Sequence, residues 1–283
     1  MAATRPYRSV LYIPGSSARA LQKARGLPAD AIIFDLEDAV APDAKAEARA
    51  ALRAALQENG YGKRAKLVRI NALSTEWGLA DARTFAAAGA DAILLPKVDT
   101  AGDIDMLRDV IGPDLPIWAM METPLSILNA REIAAHAQVA GLVAGTNDLA
   151  KDLRVRGRAD RLPLMLSLQT IVLAARVARI VAVDGVYNRF KDEEGLRAEC
   201  ERGRDLGFDG KTLIHPKQLE AANEVFAPSA EAVEFSRRII AAHAEAQKEG
   251  KGVVVVDGKL IENLHVENAQ RLVALADAIA ARA

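Results

Sequence analysis

Ala31-Ile32-Ile33-Phe34-Asp35-Leu36-Glu37-Asp38, followed by the alanine-rich stretch Lys45–Gln57 and then by Lys66-Leu67-Val68-Arg69-Ile70-Asn71, decides the fold class. A short β-branched and apolar run, a segment of good helix formers and a second short apolar run make a strand–helix–strand unit, the connection that parallel strands require. The unit repeats in both directions. The sequence predicts eight strands, at Ser9–Pro14, Ala31–Leu36, Lys66–Asn71, Ala92–Lys97, Pro116–Glu122, Gly141–Thr146, Val181–Tyr187 and Lys211–His215. Helical segments lie between them at Ala18–Ala24, Lys45–Gln57, Ala80–Ala88, Asp103–Val110, Ser126–His136, Leu164–Ile180 and Glu193–Asp205. Eight such strands predict an α/β protein with a closed (β/α)8 TIM barrel rather than an open sheet.

No Gly/Ser-rich or Pro-rich linker interrupts the first 215 residues. After the last strand come a helical stretch at Ala230–Lys248, an apolar run at Val253–Val256 and a helical stretch at Glu267–Ala281. This tail exceeds what barrel closure needs. The expected division is a catalytic barrel over residues 1–225 and a C-terminal helical extension or lid over 226–283.

Composition narrows the function classes. Of 283 residues, 51% are hydrophobic and 27% charged, and 37 basic residues balance 38 acidic ones, which gives no global electrostatic case for nucleic acid or an anionic membrane. Cys200 is the single cysteine, so an intramolecular disulfide and a thiolate metal cluster are both excluded. The opening residues carry no secretory apolar run, and charges or turns interrupt every apolar stretch before membrane-spanning length; the expected location is cytoplasmic.

In a barrel of this kind the loops after the C-terminal strand ends form the active site. Carboxylates gathered there, with few histidines, favour a hard oxygen-seeking ion, and Mg2+ typically takes one or two protein carboxylates. Glu122 and Asp148 follow neighbouring strands and are the expected metal ligands, although each alone reads equally well as a helix cap. Arg69, between Val68 and Ile70, needs an anion. A substrate carboxylate or enolate and a structural bridge to Asp35 or Glu37 are equally open. Strand alternation puts Asp35 and Glu37 on one face, with Asp38 starting the loop, and these acids suit orienting Arg69 or holding metal-bound water. Lys97 can act electrostatically or, less favoured, as a Schiff-base amine. His215 can touch the site or shape the turn before Pro216. The segment Tyr12-Ile13-Pro14-Gly15-Ser16-Ser17 ends strand one with a glycine and two hydroxyls and offers free N–H groups to a phosphate, while Ser16 or Ser17 equally suits an N-cap.

The stretches RSVLYIPG, FDLEDAVAPDAKAEAR, VRIN, LLPKV, METP, GTNDLA, GFDGKTLIHPKQL and GKGVVVVDGKLIE occur in one order over nearly the whole chain. In this the chain resembles the citrate lyase beta-subunit family of the HpcH/HpaI aldolase superfamily. The resemblance implies a magnesium-dependent carbon–carbon lyase, commonly a homotrimer or homohexamer, that cleaves or forms malyl-, citramalyl- or citryl-type thioesters of CoA or an acyl-carrier protein. It implies Glu122 and Asp148 as metal ligands, Arg69 as the substrate and enolate contact, and Asp35, Glu37 and Asp38 as supporting acids; the positions of Pro14, Gly15 and Lys97 at strand ends make them the further expected substrate-binding residues. Related lyases often carry an Asp in the C-terminal lid, lent to a neighbouring subunit for acid–base catalysis; Glu262 stands at that position here. Where Arg189 stands, related sequences more often show an acidic or small residue. Two rival readings are a class II aldolase acting on a free 4-hydroxy-2-oxo acid and a non-catalytic thioester-binding subunit.

Overall fold

The computed structural model describes residues 5–248, 250 and 252–282. Eight parallel strands follow one another around a closed ring: β1 (Ser9–Pro14), β2 (Ala31–Asp35), β3 (Ala65–Arg69), β4 (Ala92–Leu95), β5 (Ile117–Met121), β6 (Val139–Ala144), β7 (Val181–Asp184) and β8 (Gly210–Leu213). Closure comes from β8 pairing back onto β1, with Val10 opposite Thr212 and Leu11 opposite Leu213. The crossovers are α1 (Ala18–Ala24), α2 (Lys45–Gln57), α3 (Gly78–Phe85), α4 (Ala101–Ile111), α5 (Pro124–Leu128), α6 (Ala130–Ala135), α7 (Thr146–Asp152), α8 (Met165–Ala178) and α9 (Glu193–Leu206), and α10 (Leu219–Val225) follows β8. The fold is the barrel that the sequence predicts.

Period-two alternation along the strands builds two cores and aims the site. Val10, Ile33, Leu67, Leu94, Trp118, Met120, Val143 and Val183 pack together as the inner cluster, while Leu11, Ile32, Phe34, Val68 and Ile93 belong to the larger cluster that includes the helices. Two residues beyond Val10, Ile33, Leu67 and Met120 come Tyr12, Asp35, Arg69 and Glu122. The parity that sends the aliphatic residues inward therefore sends these four polar groups to the barrel mouth, where all four line one cavity.

Several predicted strands run past the ladders, which stop at Arg69, Leu95, Met121, Ala144, Asp184 and Leu213. One residue further, Ile70 and Gly145 still donate to backbone carbonyls of neighbouring strands, and beyond them side chains take over. Asn71 donates its N–H to Asp81 Oδ2 at 3.0 Å, and Lys97 donates its N–H to Glu122 Oε1 at 2.8 Å. The single helix expected over Ser126–His136 is two, divided at Asn129, whose Nδ2 donates to the Asp99 carbonyl at 2.8 Å.

Contacts divide the chain into Tyr7–Phe226 and a second unit that runs from Ala227 to the C-terminal end and takes in Arg5 and Pro6. The second unit contains α11 (Ala230–Lys248), a hairpin of β9 (Val254–Val256) and β10 (Lys259–Ile261), and α12 (Asn263–Ala280). The sequence predicts the first apolar run but not its partner strand. Asp257 and Gly258, at φ 48° and 76°, make the two-residue turn, which requires positive φ at both positions. Ile239, Val256, Ile261, Val266 and Ala269 form a small core of their own. Among the described residues no helix is long and apolar enough to cross a membrane.

Candidate active site

The cavity at the barrel mouth has a volume of about 330 Å3, and its wall includes Tyr12, Asp35, Asp38, Arg69, Glu122 and Asp148. Pro14 also lines it, and so do the apolar side chains of Met120, Ala144 and Val186. The arginine sits at the centre of an acidic cage. Its Nε and Nη2 donate to the two Asp35 oxygens at 2.7 and 2.6 Å, and its Nη1 donates to Asp38 at 3.2 Å. Nη1 also lies 2.9 Å from Glu37 Oε2, a close charge contact without hydrogen-bond alignment. The guanidinium stacks over the Tyr12 ring, 4.9 Å from its centroid. The structural bridge left open by the sequence is thus present, and Arg69 still faces the cavity through its outer edge.

Electrostatics follow from this packing. Burial opposes the Arg69 charge, but the hydrogen bonds to Asp35 and the surrounding acids outweigh it and hold Arg69 firmly protonated. Burial pushes the Glu37 carboxyl up to about 7; Arg69 pulls it down, while Asp38 and the other nearby acids push it further up. Burial also raises the Tyr12 phenol well above its ordinary range, so it stays a neutral hydroxyl. Asp35 is fixed further by accepting the N–H groups of Glu37 and Ala39 at 2.9 and 3.1 Å.

Glu122 and Asp148 face one another across Lys97. The Lys97 ammonium contacts Asp148 and lies 3.4 Å from Glu122 Oε1. Neither acid is an N-cap residue: Thr123 caps α5 by accepting from Ser126, and Gly145 occupies the position before α7. Gly145 is also what lets Glu122 sit there, since a Cβ on it would lie 2.3 Å from Glu122 Cβ. The pair suits a hard divalent cation. It offers only carboxylate oxygens, one acid buried and the other partly exposed, and a cation already bridges them. No group of three or more His, Cys, Asp or Glu side chains placed to hold a metal ion occurs among the described residues.

Other expected residues take local roles. Gly15 donates its N–H to the Asp35 carbonyl at 2.8 Å, and a Cβ there would meet Leu36 at 2.8 Å, so its place is dictated by close approach of two strand ends. Ser17 caps α1. His215 Nδ1 accepts from the Lys217 N–H at 3.1 Å and its ring stacks on Phe190, which is the turn-shaping role. Arg189 is exposed and bonds the Tyr187 hydroxyl. Glu262 lies in the second unit, exposed, as N-cap of α12. Sequence reasoning did not single out Tyr12, Asn147, Asn188 or Thr212 as lining residues. Tyr12 was detectable from its parity with Val10.

Comparison with known proteins places these observations. Over residues 8–216 the chain matches the HpcH/HpaI aldolase/citrate lyase family. It is 60% identical over 276 residues to a (3S)-malyl-CoA thioesterase of Cereibacter sphaeroides, covering 98% of this chain and 96% of that protein. It is 35% identical to the Escherichia coli citrate lyase subunit beta, covering 97% and 94%. The Mycobacterium tuberculosis protein CitE, solved in complex with magnesium, acetoacetate and coenzyme A, superposes with a TM-score of 0.76 at 29% identity, covering 98% of this chain and all of that one. From this agreement of sequence and barrel, the chain belongs to the HpcH/HpaI aldolase/citrate lyase family.

Proposed function

We propose that the protein is a magnesium-dependent enzyme acting on a short 3-hydroxyacyl-CoA thioester of the malyl type, and that it hydrolyses the thioester to the free acid and CoA. The observation that carries this reading is the pairing of Glu122 and Asp148 opposite the Arg69 cage in one cavity, in a chain 60% identical to a malyl-CoA thioesterase over almost its full length. The barrel is the proposed catalytic domain, the C-terminal unit its lid, and the working form a homotrimer or homohexamer in the cytoplasm.

Glu122 and Asp148 would hold Mg2+, which when bound supplies a Lewis acid that orients the carboxylate and hydroxyl oxygens of the acyl group. Arg69 presents a fixed positive charge to the oxygen of the thioester carbonyl. Its bonds to Asp35 keep it from turning away, so little reorganisation is needed when that oxygen becomes negative. Hydrolysis forms a bond from water oxygen to the thioester carbon and breaks the carbon–sulfur bond, and the proton lost by water ends on the CoA thiol. Glu37, pushed up to about 7, can take or give a proton near neutrality. Asp38 and, in the lid, Glu262 are the remaining proposed acid–base groups; Pro14, which lines the cavity, and Gly15 and Lys97, which do not, are the proposed substrate neighbours.

Carbon–carbon cleavage is the second reading, favoured by the 35% identity to citrate lyase subunit beta. It uses the same cage, because the enolate left by cleavage puts its charge on the same thioester oxygen. The difference lies in which proton moves: the acyl hydroxyl must be deprotonated, and no water is consumed.

Incubating the purified protein with Mg2+ and (3S)-malyl-CoA in H2 18O separates the readings. Hydrolysis yields malate labelled in one carboxyl group, plus CoA. Acetyl-CoA and glyoxylate without labelled malate would establish the lyase. Turnover of free 4-hydroxy-2-oxo acids alone would move the assignment to an aldolase, and absence of any turnover to a non-catalytic thioester-binding subunit.

A further inference from the structure

A second cavity, of about 460 Å3, opens beside the first within the barrel unit. Thr146, Asn147, Val186 and Asn188 line both. The partition is held by a side-chain amide pair, with Asn188 Nδ2 donating to Asn147 Oδ1 at 2.8 Å. Its chemistry differs from that of the catalytic pocket. Arg156, Arg158, Arg161, Arg189 and Arg202 line it, against the single carboxylate of Glu199.

Three of these arginines have capacity to spare. Arg161 has a side chain only 6% exposed and spends Nη1 on the two oxygens of Asp184 at 2.7 and 2.9 Å. Its Nε and Nη2 are buried without a hydrogen-bond partner, and so is Nε of Arg202. The acids beneath them are already engaged: Lys211, fully buried, donates to Asp184 at 3.0 Å and to Glu199 at 2.8 Å. Among the described residues neither Arg156 nor Arg202 has an ion pair, whereas Arg158 pairs with Asp160 and Arg189 with Asp192. A buried guanidinium N–H left unbonded is destabilising, and its planar fork is best satisfied by an oxyanion.

We propose that this cavity is a binding site for a small oxyanion carrying two or more negative charges, a phosphate-type group or a dicarboxylate, seated on Arg161 and Arg202 and closed by Arg156. Two unpaired cations on its wall, Arg156 and Arg202, match such a ligand, the three orphaned N–H donors lie buried behind that wall, and a monovalent ion would leave part of the charge unmet. The site stands apart from the proposed thioester chemistry, and its test needs neither metal nor turnover.

Titration calorimetry of the full-length, metal-free protein with diphosphate, phosphate, malate and chloride tests it. The expected result is one site per chain for at least one of the polyvalent anions and none for chloride. Tighter binding of diphosphate identifies a phosphate-type ligand, tighter binding of malate a dicarboxylate. Arg156→Gln with Arg202→Gln should weaken binding by roughly tenfold or more, the scale of one charge-assisted hydrogen bond. Arg156→Gln alone, at an exposed position, should weaken it in the same direction. Lys97→Met, against the proposed metal ligands Glu122 and Asp148, should leave it within about twofold, since no contact in the second cavity is lost. The proposal is overturned by absence of binding at about 10 mM anion, where even millimolar sites fill, by affinity indifferent to the arginine substitutions, or by loss of binding in Lys97→Met instead.

Discussion

The ammonium of Lys97 is in contact with the carboxylate of Asp148, 51 residues further along the chain, and lies between the two proposed metal ligands, 3.4 Å from Glu122. Lys97 is brought there by a left-handed backbone, φ 53°, directly after β4, with its N–H on Glu122. Ammonium and magnesium therefore compete for the same two acids. Lys97→Met should tighten Mg2+ binding by roughly two- to fivefold, because a half-exposed ion pair is worth at most about 1 kcal/mol. Calorimetric titration with Mg2+ checks this. Unchanged or weaker binding would show that the lysine does not oppose the metal.

Glu122→Ala and Asp148→Ala should each abolish magnesium-dependent turnover while leaving far-ultraviolet circular dichroism unchanged. Each removes one of two charged oxygen donors from an ion that takes few protein ligands. Full activity in either variant, or in wild-type protein after exhaustive chelation, would reject this pair as the site.

Arg69→Met tests the cage. A methionine has neither charge nor donor for the two Asp35 oxygens, so the buried carboxylate keeps its charge and loses its partner. The expected loss is on the order of 3–5 kcal/mol of stability in urea unfolding, the scale of a broken buried pair, together with a fall in turnover. Stability within about 1 kcal/mol of wild type, the worth of a surface pair, would mean that the cage is not structural.

Glu37 supplies a pH prediction. Its folded-state carboxyl lies at about 7, above the ordinary 4.5, so the folded protein holds that proton more tightly than the unfolded chain does. The stability tied to the proton is complete below about 4.5 and is lost as pH rises through about 7. A glutamine side chain carries no such proton to lose. In metal-free protein, Glu37→Gln should therefore be more stable than wild type above neutrality by on the order of 1–3 kcal/mol, the difference shrinking as pH falls. A difference that does not vary between pH 4 and 8 would contradict the shifted carboxyl.

What the sequence displayed was periodicity, and periodicity was enough for the barrel. Ile33 to Asp35 and Leu67 to Arg69 are two-residue steps within single strands, so the inward direction of these groups could be read locally. Other features depend on partners distant in sequence. Asp184 and Glu199 meet Arg161 from 23 and 38 residues away, and nothing near Arg161 announces a buried position. The break at Asn129 was hidden because Ser126–His136 has a continuous helical composition, and the Asp99 carbonyl that captures Asn129 lies 30 residues earlier. The second strand of the tail hairpin, Lys259–Ile261, is too short to register as a pattern.

Glu262 is where local structure and the proposed role meet most sharply. Ile261, 2% exposed, ends β10 inside the small core of the second unit, and Glu262 next begins α12 with its N–H donated to His265 Nδ1 at 3.0 Å. The backbone is thus held on both sides. Among the described residues the carboxylate itself has no ion pair, and a negative side chain at a helix start is favoured by the helix dipole whether or not it has any further task. Glu262→Gln keeps the shape and removes the charge, so a purely local role predicts near-normal turnover and a small loss of stability. A role in proton transfer predicts turnover lowered by roughly 100-fold or more with Mg2+ affinity unchanged, the usual scale of general acid–base catalysis. If the carboxylate serves a barrel other than its own, mixing Glu262→Gln with Glu122→Ala under subunit exchange should restore part of the activity, because some pairings then combine an intact metal site with an intact carboxylate. Wild-type turnover in the Glu262→Gln variant would reject the catalytic role, and no recovery despite demonstrated exchange would reject sharing between subunits.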